Sequence, residues 1–213
     1  MSEETNPGED RSDDAHDHAG RRTRERILAA ALALFAGQGY AGTSIRDIAE
    51  TVGVTKAALY YHFRSKEEIL DALTEPIVAE LEALVARAGT RPVPPAAELL
   101  GTLVDILSRR AALIRALMED PSAPRTLHRP ELHRALSDAL AESPGRPGEL
   151  RAWAAIGAAQ LAGFVTVKTR SALSGAPPDE QAAETLLRGD RHVLEVSERE
   201  EIVAAALRAL GRD

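Results

Sequence analysis

The chain has 213 residues, 44% of them hydrophobic and 28% charged, with a formal net charge of −7 and no cysteine. That is enough apolar material for one sizeable domain or two small ones. The missing thiols exclude disulfides, thiolate metal centres, CxxC redox chemistry and a cysteine nucleophile, which suits a reducing cytoplasm.

An acidic total argues against nucleic acid only if the charge is spread evenly, and it is not. Residues 1–20 carry seven acids against Arg11, a net of −6; residues 21–66 carry eight bases against three acids, a net of +5; residues 67–213 carry 17 bases against 23 acids, a net of −6. Five of the seven aromatic residues, Phe35, Tyr40, Tyr60, Tyr61 and Phe63, fall inside the basic window, and only Trp153 and Phe164 lie elsewhere.

Residues 1–20 mix Gly, Pro, Ser, Asp and Glu without an apolar run. This composition predicts a disordered acidic tail and excludes a secretory signal. From residue 21 onward the apolar spacing is helical and no alternating strand is visible, so the fold is expected to be all-α. Ile27, Leu28, Ala31, Leu34 and Phe35 share one face of a first helix that should end before Gly37-Gln38-Gly39. Ile45, Ile48, Ala49 and Val52 form a short second helix that Thr43 or Ser44 can cap, and Thr55 can cap a third running through Phe63. Ser65-Lys66-Glu67-Glu68 reads as a capping box opening a longer helix to about Ala88, which Pro76 should bend.

The Pro/Gly-rich loop Gly89 to Pro95 marks a boundary between functional regions. Beyond it helices are expected near 96–109, 110–119, 130–142 and 149–173, then a short helix and loop over 179–195. A last helix opens with a capping box at Ser197-Glu198-Arg199-Glu200 and stops at Gly211. The most apolar window, Ala152 to Val167, is 16 residues long. That is short of the ~20 a membrane span needs, so no membrane association and a cytoplasmic location are expected.

Residues 45–63, IRDIAETVGVTKAALYYHF, have the layout of a helix-turn-helix. Ala49 is small where two helices must cross, Gly53 supplies the tight turn four residues later, and Ile48, Val54 and Leu59 point inward. The second helix of such a unit enters the DNA major groove by its N-terminal end, which here carries Thr55, Lys56, Ala57 and Ala58. Lys56 can donate to a guanine edge or a phosphate, and the alanine methyls can meet thymine methyls. Thr43, Tyr60, Tyr61, His62 and Lys66 surround the unit with donors suited to phosphates. Arg46 can reach a base or a phosphate, and Arg21, Arg22 and Arg24, ahead of the first helix, can follow the backbone or enter a minor groove. Spacing, local charge and aromatic concentration coincide in this one window, and together they point to DNA binding.

The stretch RERILAAALALFAGQGYAGTSIRDIAETVGVTKAALYYHFRSKEEILDAL resembles the N-terminal domain of the TetR family of bacterial transcriptional regulators. The likeness covers roughly residues 23–73, through Phe-Ala-x-x-Gly-Tyr, Thr-Ser, Gly-Val-Thr-Lys, Leu-Tyr-Tyr-His-Phe and Ser-Lys-Glu-Glu. The resemblance implies an all-α homodimer that binds a palindromic operator, usually as a repressor, and releases it when a small-molecule effector enters the C-terminal domain. It matches Thr43, Tyr61, His62 and Lys66 to phosphate-contacting positions, and Arg46, Lys56 and Ala57 to base-proximal ones; Tyr60 can pack or contact phosphate. The chain then divides into an acidic tail at 1–20, a helix-turn-helix DNA-binding domain at 21–66 and a helical ligand-binding and dimerisation domain at 67–213. The acidic tail lies outside the family pattern.

In the C-terminal region Trp153, Gly157, Gln160 and Phe164 form one stripe of a helix, whose ordinary explanation is core or dimer contact. Gln160 is the odd member, because a buried amide needs partners and a ligand can supply one. With Leu103, Leu107 and Met118, the residues Trp153, Gln160 and Phe164 are the candidate ligand contacts, and Leu117 and Leu136 are further lining positions. The resemblance implies that the helices at 149–173 and 197–210 form a four-helix dimer interface.

Other signals carry less. Gly37 to Gly42 formally spells GxGxxG, but the preceding run has helical rather than strand periodicity. His16 and His18 stand among acids in the tail, and His128 and His133 are spaced poorly for one helix face. With no HExxH, GxSxG or Walker loop, no catalytic residue, metal or cofactor is assigned. The competing class is a helical small-molecule-binding protein or enzyme with an incidental helix-turn-helix.

Overall fold

The computed structural model describes residues 9–124, 127, 129–141, 145–174 and 194–212, with the side chains of 9–17, 112, 119 and 162–174 outside the description. Among the described residues every regular element is an α-helix. The order is α1 (Glu9–Gly42), α2 (Ile45–Val52), α3 (Lys56–His62), α4 (Lys66–Ala88), α5 (Ala96–Arg109), α6 (Ala111–Glu119), α7 (Pro130–Leu140), α8 (Arg146–Ser174) and, last, α9 (Val196–Leu210). No described helix is long and apolar enough to cross a membrane. The short helix expected within 179–195 and the residue His128 lie outside the described residues.

Two elements differ from the sequence reading. α1 begins at Glu9, so residues 9–20 are helical rather than a coil, while 1–8 lie outside the described residues. Neither Pro nor Gly interrupts the chain between Glu9 and Ala19, and carboxylates at a helix N-terminus complement its dipole. Arg21, Arg22 and Arg24 therefore sit within α1 rather than ahead of it. The last helix starts at Val196, with the capping box formed by Glu195 and Glu198 instead of one opening at Ser197. As expected, α4 runs as one helix from Lys66 through Pro76 to Ala88.

The turn residues do what their chemistry requires. α1 breaks at Gly39, whose φ of 80° and ψ of 165° no L-residue adopts readily, so the glycine-rich run is a helix–helix turn. Ser44 caps α2 through a reciprocal box with Asp47, and Gly53 closes α2 in the left-handed region at φ 73°. Thr55 and Ser65 cap α3 and α4 by accepting from the Ala58 and Glu68 N–H groups.

A single apolar cluster runs from Ile27 to Leu210. It takes in Phe35, Ile48, Leu59 and Phe63 near the N-terminal helices and Leu99, Leu100, Ile156 and Val203 further on, so the core is continuous past residue 66. α6 packs back on α1, α4 on α5 and α7, and α8 and α9 pack together and on α5. α9 is pinned to α5 by Arg199, whose Nε and Nη2 donate to the two Asp105 carboxylate oxygens at 2.6 and 2.8 Å.

Candidate nucleic-acid interface and interior cavity

The helix-turn-helix is held from its inner side. Ile48, Ala49 and Val52 of α2 and Leu59 of α3 are buried, and Leu59 is the only buried residue of α3. Burying one leucine on a seven-residue helix leaves its other faces to solvent. Arg26 on α1 donates to the Val52 carbonyl at 2.7 Å, closing the C-terminal end of α2. The Arg24 guanidinium lies 4.9 Å from the centre of the Phe63 ring, tying α1 to the end of α3.

The exposed face is then Thr55, Lys56, Ala57, Ala58, Tyr60 and Tyr61 from α3, with Arg46 from the first turn of α2. Tyr61 is 86% exposed, an unusual place for a large ring unless something covers it. His62 is half-buried, and its ring meets Tyr61 edge-on at 5.3 Å. Arg46 is paired with Glu50 at 2.6 Å, and this hydrogen bond raises its pKa further. Such a solvent-exposed pair is readily exchanged for a phosphate.

Two sequence-selected residues are not on this face. Thr43 is 1% exposed, and its hydroxyl donates to the Gly39 carbonyl at 2.8 Å while accepting from the Gln38 amide. Lys66 donates from Nζ to the Tyr40 and Thr43 carbonyls at 2.7 and 2.9 Å and sits 4.0 Å from the centre of the Tyr40 ring. Both side chains hold the α1–α2 turn rather than reach outward. Tyr40 itself packs on Phe35 and donates to Glu67 at 3.1 Å; burial first, and then the Glu67 carboxylate, push its phenol above the ordinary range.

Sequence reasoning missed Asp120. It follows α6, yet its Oδ2 accepts the Ala41 N–H at 2.5 Å and its Oδ1 accepts the Ser122 N–H and hydroxyl. The hydrogen bonds from Ser122 and then Ala41 hold its carboxyl below the usual range. The partner is 79 residues away, so no local pattern announces it.

Asp120 also lines a cavity of about 650 Å³ in the second half of the molecule. α4 contributes Ile77, Leu81, Leu84 and Val85, α5 Leu103 and Leu107, and α6 Ile114, Leu117 and Met118. α7 adds His133 and Leu136, and α8 adds Trp153, Ile156 and Gln160. Leu103, Leu107, Met118, Trp153 and Gln160 thus border one space, while the side chain of Phe164 lies outside the described residues. The His133 and Trp153 rings stack at 4.4 Å with 14° between their planes, and burial holds His133 below its usual pKa.

On its outward side α8 exposes Leu150, Ala154 and Leu161, and a Cβ added at Gly157 would meet open space. The stripe marked in the sequence therefore splits: Trp153 and Gln160 border the cavity, whereas Gly157 lies with the open apolar face.

Residues 27–73 match the model of the bacterial regulatory proteins of the tetR family. The chain is 42% identical over 65 residues to the HTH-type transcriptional regulator AcrR of Shigella flexneri, covering 29% of this chain and 30% of AcrR. It is 32% identical over 127 residues to the HTH-type transcriptional repressor AcnR of Corynebacterium diphtheriae, covering 60% of this chain and 66% of AcnR. The match thus spans about a third of the first relative and just under two thirds of the second. In fold, the chain is similar to a TetR-like transcriptional regulator from Rhodococcus sp. RHA1, with a TM-score of 0.57 at 20% identity over 90% of this chain and 97% of that one. Residues 27–73 are thus a domain of the tetR family of bacterial regulatory proteins, and the chain as a whole shares the fold of a TetR-like regulator.

Proposed function

We propose that the protein is a DNA-binding transcriptional regulator, a repressor that holds a palindromic operator as a homodimer and lets it go when a small molecule fills the cavity. The observation that carries the reading is the free N-terminal face of α3. Thr55, Lys56, Ala57 and Ala58 stand exposed beside Tyr60 and Tyr61, within residues 21–66, whose net charge is +5. A helix presented in this way fits the major groove, with Lys56 at base edges or phosphate and the tyrosines against the backbone. Two such units about 34–36 Å apart meet successive grooves on one face of DNA, and a twofold dimer places them on a palindrome. The open apolar face of α8 supports self-association.

Release is supported by Asp120, which borders the cavity and also holds the turn that feeds α2. A ligand that favours another placement of this carboxylate favours another placement of the helix-turn-helix. Weakening operator binding 100-fold takes about 2.7 kcal/mol of differential ligand affinity.

The test is titration of the palindrome nearest the protein's own gene. Lys56→Ala should weaken that binding at least ~10-fold while leaving the unfolding midpoint unchanged. Equal affinity for this duplex and a scrambled one, in both proteins, would remove the operator-binding reading.

A further inference from the structure

We propose that the cavity selects an uncharged, largely apolar ligand with a flat aromatic ring system, its rings laid against the His133–Trp153 stack and its polar group bonded to Gln160. This rests on the reading of the cavity as the effector site.

The described walls from α4, α5 and α6 present only aliphatic and thioether groups, so an ion placed against them would lose its hydration without a partner. Among the described residues the charged lining groups are Asp120 and Arg129, both in the α6–α7 connection. Asp120 already accepts three hydrogen bonds from Ala41 and Ser122 and stands partly open to water, so its attraction for a ligand cation is screened. Arg129 is exposed, where an ion pair with a ligand is screened by water. Burial favours the neutral form of His133, which leaves its imidazole as a flat dipolar surface rather than a cation.

Against this apolar background two features give direction. The imidazole and indole stack as two near-parallel layers, and a third ring extends the stack in offset contact or meets its edge. Met118, exposed beside the same cavity, adds a polarizable sulfur that also favours aromatic rings. Gln160 is half-buried and makes no hydrogen bond among the described residues, so its amide is left with a donor and an acceptor for a hydroxyl or carbonyl of the ligand.

The experiment uses three probes with one ring system: 4-phenylphenol, which is neutral at pH 7, biphenyl-4-carboxylate and biphenyl-4-ylmethylammonium. Binding to the full chain is followed by calorimetry and by the emission of Trp153, the one tryptophan in the sequence and hence a reporter of this cavity. The phenol should bind at least ~10-fold more tightly than either ion and perturb Trp153 emission. Gln160→Leu, close in volume, should weaken the phenol several-fold and leave unsubstituted biphenyl unaffected. Tighter or equal binding of the carboxylate, lost in Arg129→Ala, overturns the proposal in favour of an acidic ligand; preference for the ammonium, or binding by none of the three, overturns it as well. Operator release is measured separately: a phenol that binds as expected yet leaves DNA affinity unchanged keeps the ligand class and removes the effector reading.

Discussion

Lys56 and Lys66 lie ten residues apart in a motif where both look like DNA contacts, and their surroundings differ. Lys56 ends in solvent, whereas the Lys66 ammonium is held by two backbone carbonyls and the Tyr40 ring. Hydrogen bonds from a charged donor contribute about 1.5–3 kcal/mol, and the carbonyls lose their partner if the donor is removed. Lys66→Met should therefore lower unfolding stability by about 2 kcal/mol in denaturant titrations, in contrast to the unchanged midpoint of Lys56→Ala. A Lys66→Met protein with unaltered stability but lost phosphate affinity would restore the outward-reaching role. The residue types at Thr43 and Lys66 are visible in the sequence, but their direction is not. The Lys66 partners stand 26 and 23 residues away, and whether an ammonium meets a carbonyl or a phosphate depends on how α1 and α4 are brought together.

Helices were legible where local chemistry decides them. The Ser44, Thr55 and Ser65 caps and the Gly53 stop are short-range arrangements, and they set α2, α3 and the start of α4. α9 shows where the same reasoning slips: Ser197 to Glu200 has the composition of a capping box, but Glu195 and Glu198 fill the roles two residues earlier. The register between helices was not legible at all. Gly101 of α5 lies under the Arg199 guanidinium, and a Cβ there would approach Nη2 to 2.6 Å. Gly101→Ala should displace Arg199 from Asp105 at a net cost of no more than about 1 kcal/mol, because the obstacle is the end of a flexible side chain and alanine favours the helix. In an Arg199→Ala background the same change should cost much less, which a double-mutant cycle of unfolding free energies measures. An unchanged cost in both backgrounds would mean that Arg199 yields freely.

Across the whole molecule, the continuous core and the packing of α6 on α1 link the cavity to the helix-turn-helix. The Asp120 carboxylate is the polar part of that link. Asp120→Ala should raise the hydrogen-exchange rate of the Ala41 amide at least ~10-fold while leaving Leu99, fully buried on α5, unaffected. An unchanged Ala41 rate would show that the turn holds itself. Self-association is tested on the open face of α8: Leu161 is 67% exposed, so Leu161→Glu should leave the fold intact and convert dimer to monomer in light scattering. A dimer that survives the charge places the interface elsewhere.

Trp153, 46% exposed, stands at the border between the cavity and the open side of α8. If a second copy covers α8, it changes the surroundings of the ring proposed to meet the ligand, so occupancy and association would share one side chain. Linkage then runs both ways: whatever factor the ligand applies to the subunit equilibrium, the subunit equilibrium applies to the ligand. Apparent ligand affinity would then vary with protein concentration, and a cell holding few copies would respond at a different threshold from one holding many.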